Sequence, residues 1–203
     1  MLQTQAARLT EAEYLEIERA APFRSEFFKG EMFAMAGGTP MHSLIGANLI
    51  AMLRDKTANR GCLTFTSDLR VKVEMTGLNT YPDVSVVCGE LRFADAEQDT
   101  LVDPTLLVEV LSDATEGYDR GEKFEQYRRI ASLQAYLLAS QRKPRLELFL
   151  RGEEGHWVLQ EAAGLEASLE IPPLGIALPL QEVFANVKFV PAPLRAGTPE
   201  PQR

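Results

Sequence analysis

The 203-residue sequence predicts an α/β or α+β fold built around one mixed β-sheet. Strand-like segments dominate the middle of the chain, and segments with helical periodicity lie between them. The clearest strand signal is 105–111, TLLVEVL, which is an almost continuous apolar run. Such a run is typical of a strand that is buried on both faces. Strands and helices in alternation then favour a sheet covered by helices.

The first third of the chain contains two predicted helices and a hairpin. Thr10 can cap a short helix over 10–20. Two short strand-like segments flank Lys29-Gly30, which is a moderate signal for a β-hairpin. Thr39 can cap a second helix over 40–56, and its apolar positions share one face: Ile45, Leu49, Met52 and Leu53.

The rest of the chain is predicted mainly as strands, with one helix over 119–130 and a last helical turn near Glu182. The strand segments are 62–66, 69–75, 81–88, 105–111, 134–139, 145–151 and 156–161. Acidic residues crowd 90–103, which is predicted as a solvated loop or a short helix. One domain is therefore expected over 1–190, followed by a disordered tail over 191–203 that contains four prolines.

Composition limits the classes of function. The chain is 45% hydrophobic and 25% charged, which excludes wholesale disorder. Its net charge of −8 argues against a generally basic surface for nucleic acid, although a local basic groove stays possible. The chain lacks a long apolar segment that could span a membrane and an apolar signal segment at its start, so a cytoplasmic location is expected. Cys62 and Cys88 are expected to be two buried free thiols rather than a disulfide.

Glu109 is the first candidate for chemistry, because it interrupts the apolar run. Burial of a lone ionised carboxylate is costly, so Glu109 must be paired, protonated or bound to a metal. From the residue alone, a metal ligand and a structural acid paired with a buried Arg or Lys are equally reasonable. Its position near the end of the strand favours a site, since sites in α/β proteins usually lie beyond strand ends.

Asp83 and Lys123 could complete such a site. Asp83 begins the apolar strand 81–88, although an acid after Pro82 is more often a turn residue. If the two strands are neighbours, Asp83 and Glu109 meet, and two carboxylates suit Mg²⁺. Lys123 could reach back over the strand end, whereas alone it reads as a solvated lysine paired with Asp119. Asp119 is interpreted as a helix cap.

The order of these residues resembles a known group of proteins. Pro82-Asp83 followed by Glu109-Val110-Leu111 resembles the core of the PD-(D/E)XK nuclease superfamily. Over about residues 10 to 186 the pattern resembles the Uma-two family of restriction-endonuclease-like proteins. The matching pieces include Arg24-Ser-Glu26-Phe-Phe-Lys-Gly30-Glu31, His42 at a helix start, and Tyr81-Pro-Asp83-Val-Ser-Val-Val. The most specific segment is Val108-Glu109-Val-Leu-Ser112 with Thr115, Asp119, Lys123 and Tyr127. Leu111 stands where the superfamily usually has its lysine, so that role falls to Lys123.

The resemblance implies an α/β restriction-endonuclease-like core, a mixed sheet flanked by helices, with an N-terminal hairpin and a C-terminal β extension. It also implies a metal-dependent endonuclease that hydrolyses phosphodiester bonds in DNA. Asp83, Glu109 and the backbone carbonyl of Val110 would hold Mg²⁺, or Mn²⁺ in its place. Lys123 would orient the attacking water or stabilise the transition state. His42 would bind phosphate or assist proton transfer, although a lone histidine at a helix start is more often a packing residue.

Other interpretations stay open at this point. Glu26 is expected as an outer-shell acid. A homodimer would place two sites about a two-fold axis, as cleavage of both DNA strands requires. The acidity of the chain and its displaced lysine favour an alternative, a catalytically silent nuclease-fold scaffold that binds nucleic acid or protein. A metal hydrolase for a small phosphoester is a third possibility.

Overall fold

The fold is a mixed α/β architecture, described here by a computed structural model for residues 8–35 and 37–189. The helices are α1 (Glu11–Ala20), α2 (Pro40–Thr57), α3 (Glu116–Tyr118), α4 (Phe124–Tyr127) and α5 (Leu180–Val183), and a π-helical turn (Asp119–Lys123) joins α3 to α4. The strands are β1 (Ser25–Phe28), β2 (Glu31–Ala34), β3 (Cys62–Thr66), β4 (Arg70–Val73), β5 (Leu78–Thr80), β6 (Val84–Cys88), β7 (Thr100–Leu101), β8 (Leu106–Leu111), β9 (Ala135–Ser140), β10 (Arg145–Arg151), β11 (Trp157–Ala163), β12 (Ser168–Ile171) and β13 (Ile176–Pro179). Within these residues no helix is both long and apolar enough to cross a membrane.

The strands divide among three sheets rather than one. The largest sheet has the order β11-β10-β9-β8-β6-β3, in which β8 is parallel to β9 and antiparallel to β6. A second sheet has the order β2-β1-β5-β4-β7, and β12 pairs with β13 alone. The predicted α/β class with a mixed sheet and flanking helices is confirmed. The predicted acidic loop over 90–103 contains β7, which pairs with β4.

The central strand β8 is buried on both faces, as its apolar run predicts. One face contributes Val108 and Val110 to a core shared with α2, α5 and the strands β12 and β13. The other face contributes Leu107 and Leu111 to a core shared with α4 and the five-stranded sheet. Alternation along the strand therefore places Glu109 on the Leu107 face, between the two sheets.

Local sequence signals account for the ends of the early elements. Thr10 and Glu13 form a reciprocal capping box at the start of α1. Thr39 caps α2 by accepting a hydrogen bond from the amide of His42, and Pro40 occupies the first turn. Lys29 and Gly30 both adopt positive φ between β1 and β2, which matches the twist of a tight hairpin. These predictions of two helices and a hairpin are confirmed.

Two residue-level predictions are wrong. Cys62 and Cys88 form a disulfide, because they are direct register partners in the antiparallel pair β3–β6, with Cα atoms 4.1 Å apart. The predicted helix over 119–130 begins three residues earlier, at Glu116, so Asp119 lies inside the helical segment and does not cap its start. The predicted disorder of 191–203 lies outside the described residues.

Candidate active site

A cavity of about 1170 Å³ opens beside the end of β8. The β1–β2 hairpin, the start of α2, the segment before β6 and the π-helical turn all contribute to its walls. It contains every side chain that the sequence marks for chemistry, namely Glu26, His42, Asp83, Glu109 and Lys123. The backbone of Val110 lines the same cavity.

Asp83 and Glu109 face each other across two neighbouring strands. Val84 is the register partner of Val108, so the same antiparallel register places Asp83 opposite Glu109. Residues in that relation have Cβ atoms about 5 Å apart. The carboxylate of Asp83 accepts a hydrogen bond from the amide of Val110 at 2.7 Å, and so continues the ladder where β6 has ended. The strands therefore bring the two acids together, as the sequence led us to expect.

Glu109 is 4% exposed and is held through one of its two carboxylate oxygens. The ammonium of Lys123 lies 2.8 Å from Oε1, and the hydroxyl of Tyr127 donates to the same oxygen at 2.8 Å. Lys123 and Tyr127 are four residues apart in a helical segment, so both point to one spot. These contacts leave Oε2 as the oxygen that a ligand can take.

Lys123 is surrounded by more carboxylates than it can neutralise. Besides Glu109, its ammonium lies 3.2 Å from Glu26 Oε1 and 3.7 Å from Asp119 Oδ1. Lys123 is itself only 4% exposed, and Asp119 is also buried. We call Glu26, Glu109, Asp119 and Lys123 the Lys123 network. It sets three carboxylates against one ammonium, and Asp83 adds a further negative charge opposite Glu109.

The pKa values of both partners in the Glu109–Lys123 ion pair are raised, for different reasons. Burial raises the pKa of Glu109 well above its usual range, against the lowering effect of Lys123, and the charges of Asp119 and Asp83 raise it further. Burial opposes the charged form of Lys123, yet the carboxylates of Glu109, Glu26 and Asp119 outweigh it and raise the pKa of Lys123. The ammonium therefore stays protonated, and the carboxylate of Glu109 would gain from a second cation.

Glu26 has the outer position that the sequence predicts for it. Its Oε1 accepts a hydrogen bond from Thr80 and faces Lys123, while its Oε2 accepts one from the hydroxyl of Tyr118 at 3.0 Å. Both oxygens thus contact groups of the protein, and Glu26 positions Lys123.

His42 lies in the first turn of α2, where its ring reaches the same oxygen of Asp83 that accepts a hydrogen bond from the amide of Val110. Its Nε2 is 3.2 Å from Asp83 Oδ2. The hydrogen bond to Asp83 raises the pKa of His42, while partial burial acts in the opposite direction. A proton on His42 is therefore favoured at the mouth of the site, where a phosphate or a leaving group would need one.

The donor atoms at the floor of the cavity suit a hard divalent ion. Mg²⁺ typically takes one or two carboxylates and completes its octahedron with water and phosphate oxygens. Asp83 and Glu109 offer two carboxylates on one face, and the structure uses Oε1 of Glu109 and Oδ2 of Asp83 for its own contacts. Among residues 8–35 and 37–189 no group of three or more His, Cys, Asp and Glu side chains is placed to hold a metal ion. An ion bound by Asp83 and Glu109 would therefore take most of its ligands from water and substrate.

Some of the functional residues were missed from the sequence. The sequence gives no role to the hydroxyl groups of Tyr127 and Tyr118, because the position of a tyrosine in a pattern does not show which group its hydroxyl contacts. Two basic residues near the C-terminal half of the large sheet differ in their surroundings, since Arg142 lines the cavity and pairs with Asp113. Arg151 instead donates to backbone carbonyls, including that of Leu133.

Comparison with known proteins gives consistent matches over most of the chain. Residues 11–181 match the Uma2 (Uma-two) family model, whose description is "Putative restriction endonuclease". Two proteins of Synechocystis sp. are similar. Uncharacterized protein sll1609 is 37% identical over 162 residues, which cover 80% of this chain and 92% of that protein. Uncharacterized protein slr1290 is 32% identical over 182 residues, which cover 90% and 94% respectively.

One solved structure shares the fold. It is the crystal structure of "a putative nuclease belonging to DUF820" from Anabaena variabilis, with a TM-score of 0.68. The match covers 87% of this chain and 98% of the other, at 17% sequence identity. At that identity the likeness is one of fold alone.

Proposed function

We propose that this chain, which belongs to the Uma2 family of "putative restriction endonucleases", is a Mg²⁺-dependent endonuclease that hydrolyses phosphodiester bonds in DNA. One observation carries the proposal. Asp83 and Glu109 lie opposite each other at the floor of an open cavity, and Lys123 contacts Glu109 there. Two acids and an ammonium at one point are the groups that phosphodiester hydrolysis uses.

Asp83, Glu109 and the carbonyl of Val110 would hold the ion. A divalent ion at this place would supply charge neutralisation on the scissile phosphate and would acidify water. Mn²⁺ has similar oxygen preferences and could replace it. The negative excess of the Lys123 network supports this assignment, since a cation beside Glu109 would relieve a buried and only partly compensated charge.

Lys123 would act on the phosphate side of the reaction. Its raised pKa keeps it protonated, so it offers positive charge and N–H donors but not a free base. The ammonium can stabilise the negative charge that develops on the phosphate oxygens or orient the attacking water. Tyr127 fixes Glu109 and Glu26 fixes Lys123, so both groups are held before substrate arrives.

His42 would donate a proton to the leaving group or bind the substrate phosphate. Its proton is favoured by Asp83, and it lines the cavity. A protonated imidazole can donate a hydrogen bond to a phosphate oxygen or give its proton to the departing alkoxide. Because Asp83 already orients the ring, the proton can be offered from a defined direction.

A catalytically silent scaffold is the second candidate, and one observation favours it. Lys123 already pairs with Glu109, which satisfies the condition for a structural acid inside a strand. A structural pair, however, needs neither a second acid opposite it nor access to a large cavity. The extra carboxylates therefore support the endonuclease.

Cleavage assays test the proposal. Purified protein is incubated with plasmid, single-stranded DNA and RNA in Mg²⁺ or Mn²⁺, beside Asp83→Ala, Glu109→Ala and the control Asp113→Ala. Asp113 lines the same cavity, but its side chain is 77% exposed and pairs with Arg142. We expect cleavage by the wild type and the control, and none by the two site variants. Cleavage that persists in both site variants would reject the assignment, and no cleavage of any substrate would favour the scaffold.

A further inference from the structure

Phe33 is an exposed aromatic side chain that opens onto the candidate active site. It lies on β2, the edge strand of the five-stranded sheet, and it lines the cavity while 50% exposed. Its register partner on β1 is Glu26, whose carboxylate contacts Lys123. Directly paired residues point to the same face of a hairpin, so Phe33 projects beside Glu26 toward the reactive groups.

The packing of the hairpin does not require an aromatic side chain at Phe33. Phe27, the next residue on β1, is 5% exposed and stacks on Tyr14, so the opposite face of the hairpin supplies the packing. Phe33 belongs to neither of the two apolar cores. A large aromatic that is half exposed in a cleft, and that the core does not need, is a candidate for ligand contact.

The cavity is lined by both apolar and basic side chains, as a nucleotide has both an apolar base face and a charged phosphate. Phe33, Met35 and Met41 contribute apolar surface to the cavity. Lys188 and Arg142, the latter paired with Asp113, line the cavity as well and carry positive charge. An aromatic side chain and basic side chains in one cleft are the combination by which proteins hold single-stranded nucleic acid, with bases stacked on the ring and phosphates near the cations.

We infer that Phe33 is a stacking platform for an unpaired base next to the scissile phosphate, so that the site takes single-stranded nucleic acid. This inference rests on the proposed function and adds its substrate class. In a duplex the base faces are stacked on one another and are not available to a side chain. Glu109 and Lys123 lie almost fully buried at the floor, where a flexible strand reaches more easily than a stiff double helix.

Charge supports the same choice. The chain has a net charge of −8, and its cavity contains more acids than bases. Duplex DNA carries about one negative charge per 1.7 Å of its axis, whereas a single strand is less densely charged and gains less from counterion release. An acidic protein therefore repels a single strand less, and stacking supplies affinity that does not depend on charge.

A binding experiment tests the inference with a matched control. The probe is a short fluorescein-labelled oligothymidylate, free or annealed to oligodeoxyadenylate, and anisotropy is measured in Ca²⁺ with the probe checked for integrity on a gel. The proteins are the wild type, Phe33→Ala, Phe33→Trp and Phe23→Ala. Phe23 is 59% exposed, comparable to Phe33, but does not line the cavity.

We expect the single strand to bind more tightly than the duplex. Phe33→Ala should weaken single-strand binding roughly tenfold, Phe33→Trp should restore it, and Phe23→Ala should leave it unchanged. Equal binding by Phe33→Ala and the wild type, or a preference for the duplex, would overturn the inference while cleavage by the wild type still upheld the proposed function. Absence of both binding and cleavage would overturn the two together.

Discussion

Two buried charged networks lie close together in this protein, and they are built on different balances of charge. In the Arg70 network, formed by Glu18, Arg70, Tyr81, Asp99 and Thr100, the guanidinium is 2% exposed and donates to Thr100 and Tyr81 while pairing with Asp99. Tyr81 in turn donates to Glu18, and Arg19 also pairs with Asp99. Because Arg19 also pairs with Asp95, three acids here face two guanidinium groups, whereas the Lys123 network sets three acids against one ammonium.

The pKa shifts record the same difference. The hydrogen bond from Arg19 and the charge of Arg70 hold the pKa of Asp99 well below its usual range. Burial raises the pKa of Glu109 instead, because one lysine is shared among several carboxylates. The more nearly balanced network is expected to stabilise the fold, and the larger negative surplus around Lys123 is where the proposed cation would bind.

Glu109→Gln should give the largest effect, which is on catalysis. The amide keeps the shape and the hydrogen bond from Tyr127 but removes the charge that would hold the ion. We expect at least about a thousandfold loss of kcat/KM, since loss of metal-assisted charge stabilisation costs several kcal/mol of activation free energy. Plasmid or oligonucleotide cleavage measures it. A loss below tenfold would show that Glu109 is not a ligand.

Arg70→Met should give the largest effect on stability. The substitution removes a buried guanidinium that pairs with Asp99 and donates to Thr100 and Tyr81, at a cost of about 3 kcal/mol in the free energy of unfolding. Urea denaturation followed by circular dichroism measures the loss. Specific activity per folded molecule should stay near that of the wild type, and a selective loss of activity would contradict the division between the two networks.

Glu109→Gln should change stability far less than Arg70→Met does. Lys123 keeps Glu26 and Asp119 as partners, and the substitution relieves a buried carboxylate whose pKa is raised. We expect the free energy of unfolding to change by less than about 1 kcal/mol in either direction. The same denaturation experiment decides it. A loss as large as that of Arg70→Met would identify Glu109 as a structural acid.

The smallest expected effect is on the pH dependence of stability. Asp99 has a lowered pKa in the folded state, so it contributes stability above its unfolded pKa near 4 and loses it as the pH falls toward the folded value. Its side chain is 35% exposed, so screening limits the contribution to below about 1 kcal/mol. Asp99→Asn should therefore lower the free energy of unfolding at pH 7, and its difference from the wild type should be smaller at pH 3. A difference that grows as the pH falls would contradict the lowered pKa of Asp99.

Much of the site could be predicted from the sequence, because a buried acid stands out. Glu109 interrupts an apolar strand, and the order of Asp83, Glu109 and Lys123 indicated the Uma2 family, which the comparisons confirm. The structure brings these side chains to one cavity, whereas their roles stay predictions. His42 was placed correctly at a helix start, but its contact with Asp83 depends on how α2 packs against β6.

The features that were missed depend on pairing between distant segments. The disulfide requires the register of β3 and β6, which neither segment reveals alone. In the Arg70 network, Arg70 contacts Thr100, which is 30 residues away in the chain. The neighbouring Asp99 comes from a segment predicted as a solvated loop or a short helix. Sequence patterns show which side chains are buried, but tertiary register decides which of them meet.

Mn²⁺ binding at Asp83 and Glu109 can be measured directly by electron paramagnetic resonance, through the loss of the free-ion signal during a titration. The wild type and Asp113→Asn should show saturable binding, and Asp83→Asn and Glu109→Gln should leave the ion free. Equal binding by all four proteins, or no binding by the folded wild type, would contradict a divalent-cation site at this end of β8.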